Sequence, residues 1–484
     1  MINFNTIPAA LRYPGVYVEV DGSKASLGAD IPAVLLVGQK LAAGNAAAGE
    51  VVQISSVQDA INKAGAGSML AQMVARYRAI DPTLDLYILP YADNAVGVAA
   101  TSTITVTAAP TAAGTLSIYV AGKLVSVGIT AGMAVAAVAT AIAAAFTVAD
   151  IPVTATANAA VVTLAARHKG TVGNDIDVRL NLYRESTPTG LAVTIVGMTG
   201  GSGNPAVGDL AAIIGQRWFR YVALGFADTA TLTAFETEST RRYAPPVQQG
   251  FRAFMAFRGD SAAATAFGQA RNGVHMCCLA IGTNPTCTWE AAAILAASAA
   301  PALYNNPVQS LEGRALTGLV GVSYFDWTQA NSLLFKGMSV MTVARDGTCA
   351  IKRLVSMYQT KPDGSADDTW LDINTAEVME RIRYEQIRGA ATRFTGTAVA
   401  KNNEGYRPGL RITTVDDVRA YLLTLYRETL MRNYGWVQAY DYYKSTLVVE
   451  QDTTNPSRIN YRDTPVLLSP WYVLAGRGEF QKAV

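Results

Sequence analysis

Few side chains in this sequence are suited to acid–base or metal chemistry. It contains two histidines, His168 and His275, and four cysteines, none of them in CxxC spacing. Cys277 and Cys278 are adjacent in an apolar run that predicts a buried strand, where thiols behave as small hydrophobic groups. A catalytic triad needs a histidine base, and neither histidine stands in a helix after an upstream aspartate. We therefore expect free core thiols, no metal site, no cofactor and no enzyme activity.

One glycine-rich loop could hold phosphates. Gly201-Ser-Gly-Asn-Pro-Ala206 matches the pattern G-x-G-x-x-A, and Asp228 follows about 20 residues later, as in a dinucleotide site. We favour a simple return loop in which Asn204-Pro205 caps the next helix. A nucleotide-binding α/β enzyme that uses the loop Gly200–Gly203 is the alternative.

Net charge and hydropathy argue against nucleic acid and membrane partners. Lys and Arg number 39 against 37 Asp and Glu, so no overall field attracts a polyanion. Residues 124–149 are uncharged but mostly Ala, Gly, Thr and Val, which contribute little to membrane insertion. Residues 1–10 lack the pattern of a signal peptide. We expect no direct nucleic-acid binding, no membrane insertion and retention in the compartment of synthesis.

The elements around these residues predict an α/β core. With 484 residues, the chain has room for about three domains. Apolar strands alternate with helices of ordinary length, which favours a mostly parallel sheet covered on both faces. We assign this core to residues 29–92 and 199–330. Its predicted strands are Ala33–Val37, Leu84–Leu89, Tyr221–Gly225, Arg252–Phe257 and His275–Ile281.

A change in composition marks an insertion in that core. Between Asn94 and Ala166 the charged residues are Lys123 and Asp150 only. Short β-branched runs flank an Ala-rich helical stretch, Met133–Phe146, and turn residues separate them. We expect a small β-rich outer domain over residues 93–198.

The last third of the chain has a mixed pattern. A hairpin is predicted around Arg345-Asp-Gly347, followed by helices near Thr375–Phe394 and Val415–Tyr434, the second with Thr414 as N-cap. These features predict an α+β C-terminal inner domain over 331–450. Residues 451–484 form an extended C-terminal arm.

Both ends of the chain contain strands without a neighbouring partner in sequence. Residues 1–28 are an N-terminal arm and linker in which valines alternate with Tyr17 and Glu19. Such strands pair with the sheet edge of another chain, or within their own subunit; the pattern alone allows both. The candidate arm residues are Val16, Tyr17, Val18, Glu19, Val20, Val473, Leu474, Ala475, Glu479 and Phe480.

These ends resemble a known family. The segment Ile7–Asp21 is similar to the N-terminal segment of bacteriophage contractile tail sheath proteins, especially the Mu-type branch. Val448–Asn460 and Tyr472–Phe480 resemble the C-terminal segment of the same family. Leu84–Pro90 and Asp209–Arg242 fit it as well, so the resemblance covers nearly the whole chain.

The resemblance implies a function and a set of partners. It implies a subunit of a helical sleeve around a tail tube, which shortens on triggering and drives the tube through a bacterial envelope. It also implies a core of subtilisin-like topology, arms exchanged between neighbouring subunits, and contacts with tube, baseplate and tail terminator proteins. The expected location is the virion tail, assembled in the host bacterial cytoplasm. Similar sheaths occur in headless devices, R-type pyocins and type VI secretion, which remain an alternative.

A basic stretch runs from residue 380 to residue 411. It carries seven Lys and Arg residues against three Glu, an excess of four positive charges. It could be a solvated helix face with ion pairs such as Arg381–Glu385. Alternatively it touches the tube, because charged contacts set register without a large apolar interface that must later separate. The candidate tube contacts are Arg381, Arg388, Arg393, Lys401 and Arg407.

Overall fold

The computed structural model of the chain describes residues 33–148, 151–322, 324–402, 404–407 and 409–481. The predicted N-terminal arm, with its strand residues 16–20, lies outside the described residues. Everything said below about the fold concerns the described ranges.

Strands and helices alternate through most of the chain. In order, the strands are β1 (Ala33–Gln39), β2 (Val52–Ile54), β3 (Asp85–Tyr91), β4 (Ala99–Ala108), β5 (Gly114–Val120), β6 (Lys123–Ile129), β7 (Val153–Asn158), β8 (Val161–Lys169), β9 (Val178–Leu180), β10 (Ala192–Thr199), β11 (Phe219–Leu224), β12 (Arg252–Phe257), β13 (Met276–Ala280), β14 (Met338–Val343), β15 (Cys349–Arg353), β16 (Ala398–Ala400), β17 (Ile412–Thr414), β18 (Val437–Gln438), β19 (Val448–Gln451), β20 (Ile459–Arg462) and β21 (Val466–Leu467). The helices are α1 (Val57–Ala64), α2 (Met69–Ile80), α3 (Val135–Val148), α4 (Leu210–Ile214), α5 (Thr229–Tyr243), α6 (Ser261–Gln269), α7 (Thr288–Asn305), α8 (Trp327–Leu334), α9 (Ile373–Phe394), α10 (Val415–Thr424) and α11 (Tyr440–Thr446).

An eight-stranded sheet forms the centre of the molecule. Its strand order is β15-β14-β13-β12-β11-β1-β3-β2. Neighbours from β14 to β3 run parallel, and only the two edge strands are antiparallel. The side chains of Val34 to Val37 have no accessible surface, as expected of a strand covered on both faces. The predicted α/β core with parallel inner strands is confirmed.

The central sheet continues beyond residue 330, where we expected the core to end. β14 pairs with β13 in parallel, with Met338 opposite Cys278, and β15 returns antiparallel to β14. The predicted hairpin at residues 345–347 is therefore the turn between the last two strands of the core. The sequence pattern assigns this hairpin to the next domain, because a long connection after α7 separates β14 from its partner strand β13 in the sequence.

Residues 93–198 contain two further sheets and one helix. The first sheet has the order β10-β4-β8-β7, and the second has the order β6-β5-β9. None of the eight central strands comes from this segment, as an insertion would require. The short β-branched runs that the sequence predicts as strands, at 102–107, 116–120, 153–156 and 161–164, all lie within strands of these sheets. The division of the chain into domains stays a prediction.

The insertion is held to the core by buried polar contacts. His168 Nε2 accepts a hydrogen bond from the Met69 amide at 3.0 Å, while its Nδ1 lies 2.9 Å from Asp93 Oδ1. On another side Asp177 pairs with Arg258 at 2.6 Å. One hydrophobic cluster contains residues of both the insertion and the core.

A separate apolar cluster supports the C-terminal region. It joins α9, α10 and α11 and includes Tyr426 and Tyr443, whose rings stack at 3.7 Å. The predicted N-cap is confirmed: Thr414 and Asp417 form a reciprocal capping box. The predicted single helix to residue 434 differs, since α10 ends at Thr424 and a π-helical segment follows over Leu425–Asn433.

Candidate interaction surfaces

The first half of α9 is anchored to the core by a buried cluster of charges. Glu377 lies 3.7 Å from Arg220 Nη1 and 3.7 Å from Arg252 Nε. Its Oε1 also accepts a hydrogen bond from Tyr221 Oη at 3.2 Å. Burial, then the charge of Glu377, raises the pKa of Tyr221 well above its usual value. Because β11 and β12 supply the arginines, this cluster fixes α9 against the central sheet.

Arg381 belongs to this cluster and not to the surface. Its Nε lies 3.3 Å from Glu377 Oε1, and its Nη2 donates to the carbonyl of Tyr304 at 2.9 Å. Only 11% of its side chain is exposed. This burial disfavours Arg381 as a tube contact, which stays a prediction. Its expected ion-pair partner is wrong: Arg381 pairs one turn back on the buried face, while Glu385 lies 3.2 Å from Arg388.

The second half of α9 presents two exposed arginines. The side chain of Arg388 is 57% exposed. Arg393 is exposed too, and its guanidinium lies 5.1 Å from the ring centre of Tyr421. The acidic partner of Arg388, Glu385, is only 11% exposed, so the pair is half-buried while the Arg388 side chain remains accessible to a partner.

The connection between β16 and β17 carries the remaining predicted cations. Lys401 and Arg407 are exposed, as are the apolar side chains of Tyr406 and Leu410. Arg411 lies beside them at the start of β17 and donates to the carbonyl of Thr395 at 3.2 Å. We call the following residues the basic segment: Lys401, Tyr406, Arg407, Leu410 and Arg411.

The predicted C-terminal arm residues lie in an extended tail. Residues 468–481 contain no helix or strand, and Val473, Leu474 and Phe480 are among the most exposed apolar side chains described. Ala475 is exposed, and Glu479 pairs only with nearby Arg477, at 2.7 Å. Among the described residues, this tail therefore has no strand partner of the kind that its sequence pattern favours.

The glycine-rich loop uses its backbone within the chain. The Gly201 amide donates to Asn174 Oδ1 at 2.8 Å, and the Ser202 amide donates to the Val98 carbonyl at 3.1 Å. A Cβ on Gly201 would lie 2.4 Å from the carbonyl oxygen of Gly170, so glycine is needed here for close packing. These amides are not directed at a ligand.

The helix after the loop begins later than predicted. Its N-cap is Asp209, whose Oδ1 accepts hydrogen bonds from the first amides of α4. Asn204 instead accepts from the Thr171 amide at 2.7 Å, so the prediction that Asn204-Pro205 caps the helix was wrong. A dinucleotide site requires the glycine turn to lead directly into the helix, and residues 204–208 separate the two here.

The cysteines and His275 are buried, away from these surfaces. All four cysteines are buried and reduced, and burial raises the pKa of Cys277 to about 12. Burial, followed by the charges of Arg252 and Arg383, lowers the pKa of His275 well below its usual value of 6.5. In the described ranges, no three His, Cys, Asp or Glu side chains come together as a metal site, and no helix there has the length and hydropathy of a membrane span.

Comparison with known proteins identifies the family. A family profile described as the phage tail sheath protein central domain matches residues 200–357. The match begins where the insertion ends and closes just after β15, at the limits of the second half of the central sheet. Over 99% of its length, the chain is 33% identical to the Mu-like prophage FluMu tail sheath protein of Haemophilus influenzae, covering 99% of that protein. The chain belongs to the phage tail sheath family.

Solved structures that align with most of this chain include another sheath protein. The sheath tail protein of Desulfitobacterium hafniense has a TM-score of 0.48 at 16% identity, with 94% of this chain and 100% of that chain covered. A chain of the anti-feeding prophage baseplate has a TM-score of 0.49 at 11% identity, with 98% and 100% covered.

Proposed function

We propose that this protein is the structural subunit of a contractile phage tail sheath. It polymerises helically around the tail tube and contracts to drive the tube through the bacterial envelope for genome delivery. The observation that carries the proposal is the 33% identity to a tail sheath protein over nearly the full length of both chains. The protein hydrolyses no fuel; the energy for contraction is stored in the arrangement of subunits.

The arms link neighbouring subunits in this proposal. Residues 16–20 and part of Val473–Phe480 add strands to sheets in adjacent copies. The exposure of Val473, Leu474 and Phe480 supports this, because apolar side chains on an extended segment gain free energy when another chain covers them. Main-chain hydrogen bonds between such strands, carried on extended segments, also persist through contraction, in which the side-chain interfaces between subunits are rebuilt.

The tube lies against the exposed half of α9. Arg388 and Arg393 are the contacts that the fold leaves accessible on this helix. Baseplate and tail terminator proteins close the two ends of the sleeve. The near-neutral net charge of +2 supports a sheath without direct nucleic-acid contact. We place assembly in the host cytoplasm, and we assign a subtilisin-like topology to the central sheet.

Electron microscopy of the purified protein tests the function. Sheath subunits are expected to form long hollow sleeves, whereas an enzyme is expected to remain monomeric or form closed oligomers. A thermal shift with nicotinamide dinucleotides is the companion measurement, because a ligand that binds the folded state raises the melting temperature. We expect sleeves and no thermal shift; a shift without sleeves would contradict the proposal.

A further inference from the structure

The solvent side of α8 carries a large apolar side chain at each end. Trp327 is 81% exposed and Phe335, just past the helix, is 75% exposed, whereas Leu333 is fully buried. Phe335 follows Trp327 by eight residues and so lies on the same side of the helix, whereas Leu334 is half-buried and packs against the core. Large apolar side chains grouped on a surface are typical of an interaction site.

The C-terminal half of α8, with Phe335, forms one wall of an open groove with a volume of about 480 Å³. The opposite wall comes from the segment that leads into α9. We call this the α8 groove; its lining includes Asn331, Leu334, Phe335, Tyr358, Asp367, Asp368 and Leu371. One cation, Arg353, also lines it, but its charge is balanced by Asp372 at 3.0 Å.

The α8 groove has an acidic rim. Asp367 accepts hydrogen bonds from Tyr358 Oη at 2.6 Å and from Thr369 Oγ1 at 2.8 Å, which lower the pKa of its carboxyl. Exposed Asp363 and Asp368 stand nearby in the chain. A ligand that fits this rim and wall combines positive charge with apolar side chains.

The basic segment has that combination, at the other end of α9. It places Tyr406 and Leu410, 41% and 55% exposed, beside three cations. The groove lies at the start of α9 and the basic segment follows its end; 22 residues at the α-helical rise span about 33 Å. Because α9 is anchored by Glu377, the two surfaces of one chain are held apart.

We propose that the α8 groove of one copy of this chain receives the basic segment of a second copy. Such a contact joins two different surfaces of identical subunits, so it is head-to-tail and generates an open helix. The inference rests on the proposed polymeric function and adds a specific contact to it. A second copy is favoured over the tube because the exposed Tyr406 and Leu410 match the apolar wall of the groove.

Charge exchange tests this contact. The acidic variant carries Asp363→Lys and Asp368→Lys, the basic variant carries Lys401→Glu and Arg407→Glu, and a third protein carries all four changes. Each pair alone is expected to raise the critical concentration for tube-free sleeves at least ~10-fold, because like charges then face each other. The fourfold variant should return to within ~3-fold of the wild type, because opposite charges meet again. Lys444→Glu, an exposed reversal on α11, is the control and should leave assembly unchanged.

Two further outcomes separate the explanations. Phe335→Ser is expected to weaken assembly without lowering the melting temperature of the monomer, since this side chain lines the groove and is 75% exposed. Failure of the fourfold variant to recover would overturn the contact while wild-type sleeves still support the proposed function. If the basic variant forms normal empty sleeves and fails only around tubes, the basic segment binds the tube and the inference is wrong. Absence of sleeves from the wild type would overturn both proposals.

Discussion

At the scale of single residues, Glu377 is the side chain on which α9 depends most. Replacing it with glutamine keeps its shape but removes the buried negative charge that faces Arg220, Arg252 and Arg381. Removing one partner of a buried ion pair costs about 3–5 kcal/mol. We therefore expect Glu377→Gln to lower the free energy of unfolding by about this amount in urea denaturation.

A matched control distinguishes the effect of losing a buried ion pair from the effect of losing an exposed one. Glu428 pairs with Arg432 at 2.9 Å, but both side chains are about half exposed. Exposed helix pairs contribute about 0.3–0.5 kcal/mol, so Glu428→Gln should change stability little. Equal losses for the two variants would contradict the anchoring role of Glu377.

His275 gives the fold a specific dependence on pH. Its Nδ1 lies 3.0 Å from Arg252 Nη1; since arginine can only donate, the imidazole is neutral and accepts this bond. Its pKa is lowered in the folded protein, so the unfolded chain binds one more proton as the pH falls below 6.5. Stability from this group is complete above pH 6.5 and is lost below it, by up to about 1.4 kcal/mol per pH unit.

His275→Asn tests that dependence, because its amide oxygen can replace Nδ1 as the acceptor but does not titrate. We expect a shallower fall of stability between pH 6.5 and pH 5 than in the wild type, measured by urea unfolding at each pH. His168 is present in both proteins and cancels in the comparison. Parallel pH curves would show that His275 is not the titrating group.

At the scale of elements, the exposed half of α9 is the proposed tube contact. Reversing Arg388 and Arg393 to glutamate is expected to reduce assembly around tubes while tube-free sleeves still form. The effect should be largest at low salt, where exposed charges are least screened. Lys444→Glu serves as the control reversal. Unchanged tube loading at low salt would show that the two arginines are merely solvated.

The insertion is expected to be dispensable for the central sheet. Deleting 93–198 with a short linker removes no central strand. The helix and strand signals in circular dichroism should therefore remain, in proportion to the residues that are left. The deletion uncovers Met69 and Trp289, which pack at the junction, so we expect added dye binding to apolar surface. Loss of all folded structure would show that the junction is part of the core.

Local sequence patterns predicted many of the strands and helices, and tertiary contacts explain where the predictions failed. Strand Arg252–Phe257 has the predicted bounds, because its apolar run needs only a covered sheet. β6 is not predicted from the sequence, although Val125, Val127 and Ile129 alternate toward the core. Residues 124–149 are interpreted there from their uncharged composition and not from this alternation. The burial of Arg381 depends on Tyr304 and Glu377, and no helix periodicity shows a partner 77 residues away.

At the scale of the whole molecule, the account rests on subunits joined through their arms. The family was predicted from both ends of the chain and is confirmed by the full-length relative. The arm contacts themselves stay a prediction: residues 16–20 lie outside the described ranges, and Val473–Phe480 have no strand partner among the described residues. A single subunit cannot display a ladder that forms between chains.

The most direct measurement compares sleeves of the full chain with those of a chain lacking residues 1–20, by electron microscopy at equal concentration. Because the core and its sheet lie beyond the deletion, the truncated protein should melt as the full chain does and yet form no sleeves. Val18→Pro, which removes one backbone donor, should give an intermediate loss. Full-length contractile sleeves from the truncated protein would contradict arm exchange, and absence of sleeves from the intact chain would contradict the sheath function itself.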